Sequence, residues 1–129
     1  MSSEQQNWTS RAGAVQRNDY DDSEIMSAVI APPGASSVTL QFMSFETEEE
    51  CDFVTISSCT AADNCSQSSE LGKYSGSTIP DPLTSDTGIM LIQWETDGSV
   101  VYSGWSAHWS SIIAGGYFFN LSPNPSQPA

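Results

Sequence analysis

Positive charge is nearly absent from this chain. Arg11, Arg17 and Lys73 are the only fixed cations among 129 residues, against sixteen aspartates and glutamates, for a net charge of −13. That scarcity excludes nucleic acid as a partner, because phosphate binding needs clustered lysine and arginine to displace counterions. An anionic membrane surface is disfavoured for the same reason. Histidine occurs once, at His108, and cysteine three times, at Cys51, Cys59 and Cys65. No C-x2-C pair is present, so zinc is not expected. No run approaches the ~18–20 apolar residues that insert in a membrane. Residues 1–20 also lack the apolar stretch of a secretory leader, so the expectation is a leader already removed or a piece of a longer chain. No stretch keeps a 3.6-residue apolar period over three turns, which argues against a helical domain. The G-x-S-x-G and H-E-x-x-H motifs of hydrolases are missing too.

What is present is hydroxyl and alternation. The chain holds 23 serines and 9 threonines. Val38, Leu40 and Phe42 alternate with Thr39, Gln41 and Met43. Val54 and Ile56 alternate with Phe53 and Thr55. Met90, Ile92 and Trp94 alternate with Leu91, Gln93 and Glu95, and Trp105, Ala107 and Trp109 with Ser106, His108 and Ser110. Period two predicts strands with one face inward, and shorter strands are expected over about 25–31 and 117–121. Turn chemistry separates them: Pro32-Pro33-Gly34, the acidic loop 46–50, the polar segment 58–69, Pro80-Asp81-Pro82 and Thr96-Asp97-Gly98-Ser99. Such spacing predicts an all-β fold, an antiparallel β-sandwich. The weakly patterned residues 1–16 read as an N-terminal extension, 17–121 as the domain, and the proline-rich 122–129 as a linker to further chain.

Cys59 and Cys65 bracket a polar segment, which suggests a small loop closed by a disulfide in an oxidising compartment. Three reduced thiols are the alternative. Cys51 is left either as a buried thiol or paired elsewhere. Three N-x-S/T sequons, at Asn7, Asn64 and Asn120, are candidate glycosylation sites. Trp94, Trp105 and Trp109 fall on inward positions and are expected in the core, whereas Trp8 lies outside the pattern. His108 falls on the opposite, outer face, where it has no cleft to work in. Two carboxylates can hydrolyse a glycoside, but nothing here raises a carboxyl pKa, so no enzyme is expected.

In order along the chain, the pieces resemble a CUB domain, an extracellular β-sandwich of jelly-roll type. They are Val29-Ile30-Ala31-Pro32-Pro33-Gly34, the strand ending Phe42 and Phe45, Cys51-Asp52-Phe53-Val54-Thr55-Ile56, Leu71-Gly72-Lys73-Tyr74-Ser75-Gly76, the run from Met90 to Ser99, and Gly104-Trp105-Ser106-Ala107-His108-Trp109. Of the family's two disulfides only Cys51 stands at a matching place, and its partner position reads Ser75. The resemblance implies a Ca²⁺ site at one end of the sandwich, carried over to Glu48, Asp52, Asp97 and Ser99, with Glu46 or Glu49 as alternatives to Glu48. Ca²⁺ takes oxygen ligands, and two acidic loops at one end suit it. It also implies an extracellular, non-catalytic recognition module. A lysine or arginine of a protein partner would be gripped by Glu48, Asp52 and Asp97, with Tyr20 alongside. A carbohydrate-binding module and a structural unit of a larger surface or matrix protein are the alternatives.

Overall fold

The computed structural model describes residues 5–18, 25–60, 65, 67–96 and 103–113. These residues form nine strands and no helix. The strands are β1 (Gln5–Trp8), β2 (Gly13–Asn18), β3 (Ile25–Ile30), β4 (Ala35–Glu46), β5 (Phe53–Cys59), β6 (Ser68–Tyr74), β7 (Leu83–Ser85), β8 (Met90–Glu95) and β9 (Gly104–Ile113). They make two sheets, a five-stranded one in the order β1-β3-β8-β5-β6 and a four-stranded one in the order β2-β9-β4-β7. Every pairing is antiparallel except that of β1 with β3. The protein is thus an antiparallel β-sandwich, as the alternation predicts.

The inward residues of the two sheets form one core. Ile30, Val54, Ile56, Met90, Ile92 and Trp94 face Val15, Val38, Leu40, Phe42, Phe45, Trp105, Ala107 and Trp109. Across the middle, Trp94 of one sheet meets Trp105 of the other edge to face at 6.0 Å. Strict alternation along β4 would turn Ser44 inward after Phe42. A register shift between Phe42 and Ser44 resets the phase, and Phe45 enters the core while Ser44 stays exposed. One extra residue in a strand does this.

Two expectations change. The polar stretch 1–16 is not a mere extension, because its described residues form β1 and most of β2, paired to β3 and β9. Edge strands need only one inward apolar residue each, here Trp8 and Val15, and so leave no run of alternation. The polar segment 58–69 is also shorter as a loop than expected, since β5 runs to Cys59 and β6 starts at Ser68. The strand expected over 117–121 and the linker 122–129 lie outside the described residues.

One end of the five-stranded sheet is covered on its outer face as well. Val29 and Leu91 point away from the main core yet are buried with Cys59 and Cys65, flanked by Ala31 and Ile89. The disulfide between Cys59 and Cys65 is formed, with Cα atoms 5.3 Å apart. Beside it, buried Ser85 Oγ donates to Ile89 O at 2.7 Å and meets Ser58 Oγ at 2.7 Å, while Thr87 Oγ1 donates to Cys59 O. Chain-entropy arithmetic for so short a loop gives about 2 kcal/mol of stabilisation. Reduced protein is therefore expected to unfold at a lower denaturant midpoint, by the equivalent of about 2 kcal/mol. An unchanged midpoint contradicts that.

Candidate functional site

The acidic loop joins β4 to β5, and its backbone is fully organised. Thr47, buried, is the clasp. Its N–H donates to Gly76 O at 2.8 Å, its Oγ1 accepts from Gly76 N at 3.0 Å and donates to Asp52 O at 3.1 Å. One side chain thus ties both ends of the loop to the connection after β6. Inside the loop, Cys51 N and Asp52 N both donate to Glu48 O, at 3.2 and 3.0 Å. Glu50 sits at φ 62°, the left-handed region that a non-glycine residue rarely adopts. Its N–H donates to Ser75 Oγ at 2.9 Å. The Ser75 hydroxyl thereby joins the acidic loop to the connection after β6.

The register then places the acid. Val54 pairs with Trp94 and Phe53 with Glu95. One step further brings Asp52 beside Thr96, on the inward face, since Val54 and Trp94 both face in. Both residues are buried there, Asp52 at 0% exposure. Glu48 is half-buried, with its Oε1 atom buried. A carboxylate taken fully out of water costs several kcal/mol unless hydrogen bonds or opposite charge compensate it. Glu46, Glu49 and Glu50 are exposed. Glu46 Oε1 accepts from Ser103 Oγ, just before β9.

Of the four carboxylate and hydroxyl ligands expected, Glu48 and Asp52 thus fall in one hydrogen-bonded turn. Asp97, Ser99 and Tyr20 lie outside the described residues. The residues that flank them, Thr96 and Ser103 on one side and Asn18 and Ile25 on the other, all stand at this same end, since Ile25 pairs with Glu95 and Asn18 with Gly104. Among the described residues no three His, Cys, Asp or Glu side chains gather as a metal-binding group. The donor set that is described, two carboxylates with one fully buried, has the hard-oxygen chemistry of a calcium ligand set.

Thr47 carries no sequence signal, because a buried threonine in a loop looks like any other polar residue. Burial first and the Asp81 carboxylate second push the Tyr74 phenol above its ordinary pKa. Cys51 is exposed rather than buried, because the tight turn at Glu48 swings it outward. Asn7 is exposed, and Asn64 and Asn120 lie outside the described residues.

The remaining candidates take core or surface roles. Trp94, Trp105 and Trp109 are buried, so they offer no sugar platform. Trp8 stacks on Trp109 at 5.4 Å and 5°, and Trp109 Nε1 donates to Ser10 O at 3.0 Å. His108 is exposed on the outer face. No described helix is long and apolar enough to cross a membrane.

The family model for the CUB domain matches residues 4–109. Cubilin of Canis lupus familiaris is 28% identical over 114 residues, covering 81% of this chain and 3% of cubilin. Procollagen C-endopeptidase enhancer 1 of Rattus norvegicus is 27% identical over 114 residues, covering 87% of this chain and 24% of that protein. The chain therefore spans less than a quarter of either relative. Among solved structures, the MASP-1 CUB2 domain bound to Ca²⁺ is similar with TM-score 0.68 and 23% identity, over 81% of this chain and 96% of that one.

Proposed function

The chain belongs to the CUB domain family, and on that premise we propose that it is a non-catalytic extracellular recognition module whose protein contact is assisted by Ca²⁺. The observation that carries this is the wholly buried Asp52 carboxylate in a turn shared with Glu48. Asp52 and Glu48, with Asp97 and Ser99 from the connection between β8 and β9, would hold the ion. When bound, such an ion would supply positive charge beside the buried Asp52 and the half-buried Glu48. The protein's own part is geometric: Thr47 and Ser75 hold the acidic loop in place before any ligand arrives, which lowers the ordering cost of binding. Glu48, half-buried, would then face a lysine or arginine of the partner, whereas Asp52 at 0% exposure is out of a partner's reach. A net charge of −13 steers such a basic partner inward, and that steering weakens as salt rises. The closed Cys59–Cys65 disulfide supports an oxidising compartment.

The test is a thermal melt in Ca²⁺ and in chelator. A ligand held only by the native state stabilises it by about 2.7 kcal/mol at one hundred times Kd. The expected result is a higher Tm in millimolar Ca²⁺, lost in Asp52→Asn and returned to baseline by chelator. An identical Tm in Ca²⁺ and chelator for the unaltered protein removes calcium from the proposal.

A further inference from the structure

Among the described residues the two sheets have four edge strands, and three of them carry charge or directly follow a proline. An unguarded edge strand offers its backbone to another chain, and natural proteins blunt it with charge, proline, brevity or a bulge. At β6 the guards are Glu70 and Lys73, with a register shift against β5 between Ile56 and Ser57. At β2 the guard is Arg17. The β7 edge is only three residues long and directly follows Pro82. The fourth edge, β1, is Gln5-Gln6-Asn7-Trp8. It has no charge and no proline and its four pairs with β3 run without a shift, so its only guard among the described residues is its length of four residues.

That edge carries the sequon Asn7-Trp8-Thr9. Asn7 and Thr9 are both exposed. Asn7 pairs with Val29, and Val29 with Leu91, so the Asn7 side chain stands on the outer face of the five-stranded sheet, at the rim of its buried apolar cluster. Trp8 points the other way and packs on the main core. A modification at Asn7 therefore leaves the Trp8–Trp109 stack untouched. We infer that Asn7 carries an N-linked glycan, and that this glycan guards the β1 edge against pairing with a second chain.

The reaction balances with a lipid diphosphate-linked oligosaccharide as donor. Nδ2 of Asn7 forms a bond to the anomeric carbon, the bond from that carbon to the lipid diphosphate breaks, the diphosphate leaves, and the amide nitrogen loses one proton. The inference rests on the extracellular reading, because only a chain passing through the secretory pathway meets that donor.

Residues 1–129 are expressed behind a secretory leader in eukaryotic cells and mapped by peptide mass before and after peptide-N-glycosidase. The expected result is a glycan on the Asn7 peptide, lost in Asn7→Gln and Thr9→Ala and kept in Thr9→Ser. A chain retained inside the secretory pathway has met the same transferase and is mapped in the same way. Secreted protein with Cys59 and Cys65 joined but Asn7 bare overturns the glycan and leaves the extracellular reading standing. Failure to secrete counts against that reading alone. Sedimentation then tests the guard: the glycosylated protein is expected to keep one mass across concentration, while Asn7→Gln and Thr9→Ala, folded by near-UV dichroism, gain mass as concentration rises. Constant mass in both variants overturns the guarding role.

Discussion

Trp105→Ala is expected to lower the unfolding free energy by about 3–5 kcal/mol, a large fraction of the about 5–15 kcal/mol that holds a domain of this size together. Trp105 is fully buried on β9. It meets Trp94 of the other sheet at 6.0 Å and Phe42 at 5.8 Å, both edge to face, and Phe42 in turn contacts Phe45 and Tyr74. Its removal opens a void at the point where the two sheets are joined by aromatic rings. In a thermal scan the loss should exceed about 10 °C. Trp105→Phe separates the two components of the effect. Among the described residues the Trp105 indole N–H is buried with no hydrogen-bond acceptor, and an unmet buried donor costs about 1–3 kcal/mol. Phenylalanine keeps most of the ring and removes that donor, so its loss should be less than half that of alanine. Equal losses for the two variants would mean that ring packing is not what holds the sheets together.

Gly88→Ala comes second, at about 3 kcal/mol. Gly88 has φ +81°, where any side chain costs about 1–2 kcal/mol. A Cβ there would also overlap the carbonyl oxygen of Ala35 and lie 2.8 Å from its carbon. Backbone atoms cannot turn aside as a side chain can, so the β7–β8 turn must shift, and overpacking of this kind costs about 1–3 kcal/mol. Asparagine tolerates left-handed backbone better than alanine but has the same Cβ. If the overlap dominates, Gly88→Asn is as unstable as Gly88→Ala in urea. A near-normal Gly88→Asn would instead assign the effect to backbone conformation.

The parts of the fold that were legible in the sequence are those where burial imposes a period. Trp94, Trp105 and Trp109 alternate with polar partners because one face of each strand is in the core and the other in water. The alternation also put His108 on the outside. It was silent for β1 and β2, where a single inward residue each, Trp8 and Val15, suffices and backbone pairing does the rest. It was silent too for β6, whose residues are mostly exposed or half-exposed, and for β7, which is too short to show a period. Phe45 breaks the period, and only the register shift after Phe42 explains how it reaches the core. At the candidate site, Glu48 and Asp52 came from the resemblance, and the structure adds that Asp52 is wholly buried. The resemblance implied that the Ser75 segment meets the acidic loop, but the Thr47 bonds to Gly76 could not be read beforehand, because they join residues 29 apart. The Cys59–Cys65 closure was legible because short spacing and polar filling leave few other uses for two cysteines.

The buried cluster outside the five-stranded sheet has a further consequence. Where Val29, Leu91, Cys59 and Cys65 gather, the sheet is sealed on both faces and cross-linked. At the opposite end, around Asp52, there is no covalent link among the described residues, and the acidic loop is held by hydrogen bonds of Thr47 to Gly76 and Asp52 and of Glu50 N to Ser75 Oγ. Free energies of local opening follow buried apolar contact, and the disulfide adds a covalent lock to one end of β5 that the buried rings of Phe45, Trp94 and Trp105 near the other end do not have. A ligand that bridged the acidic loop would therefore hold β5 from the end opposite its disulfide, so that both ends of that strand were fixed.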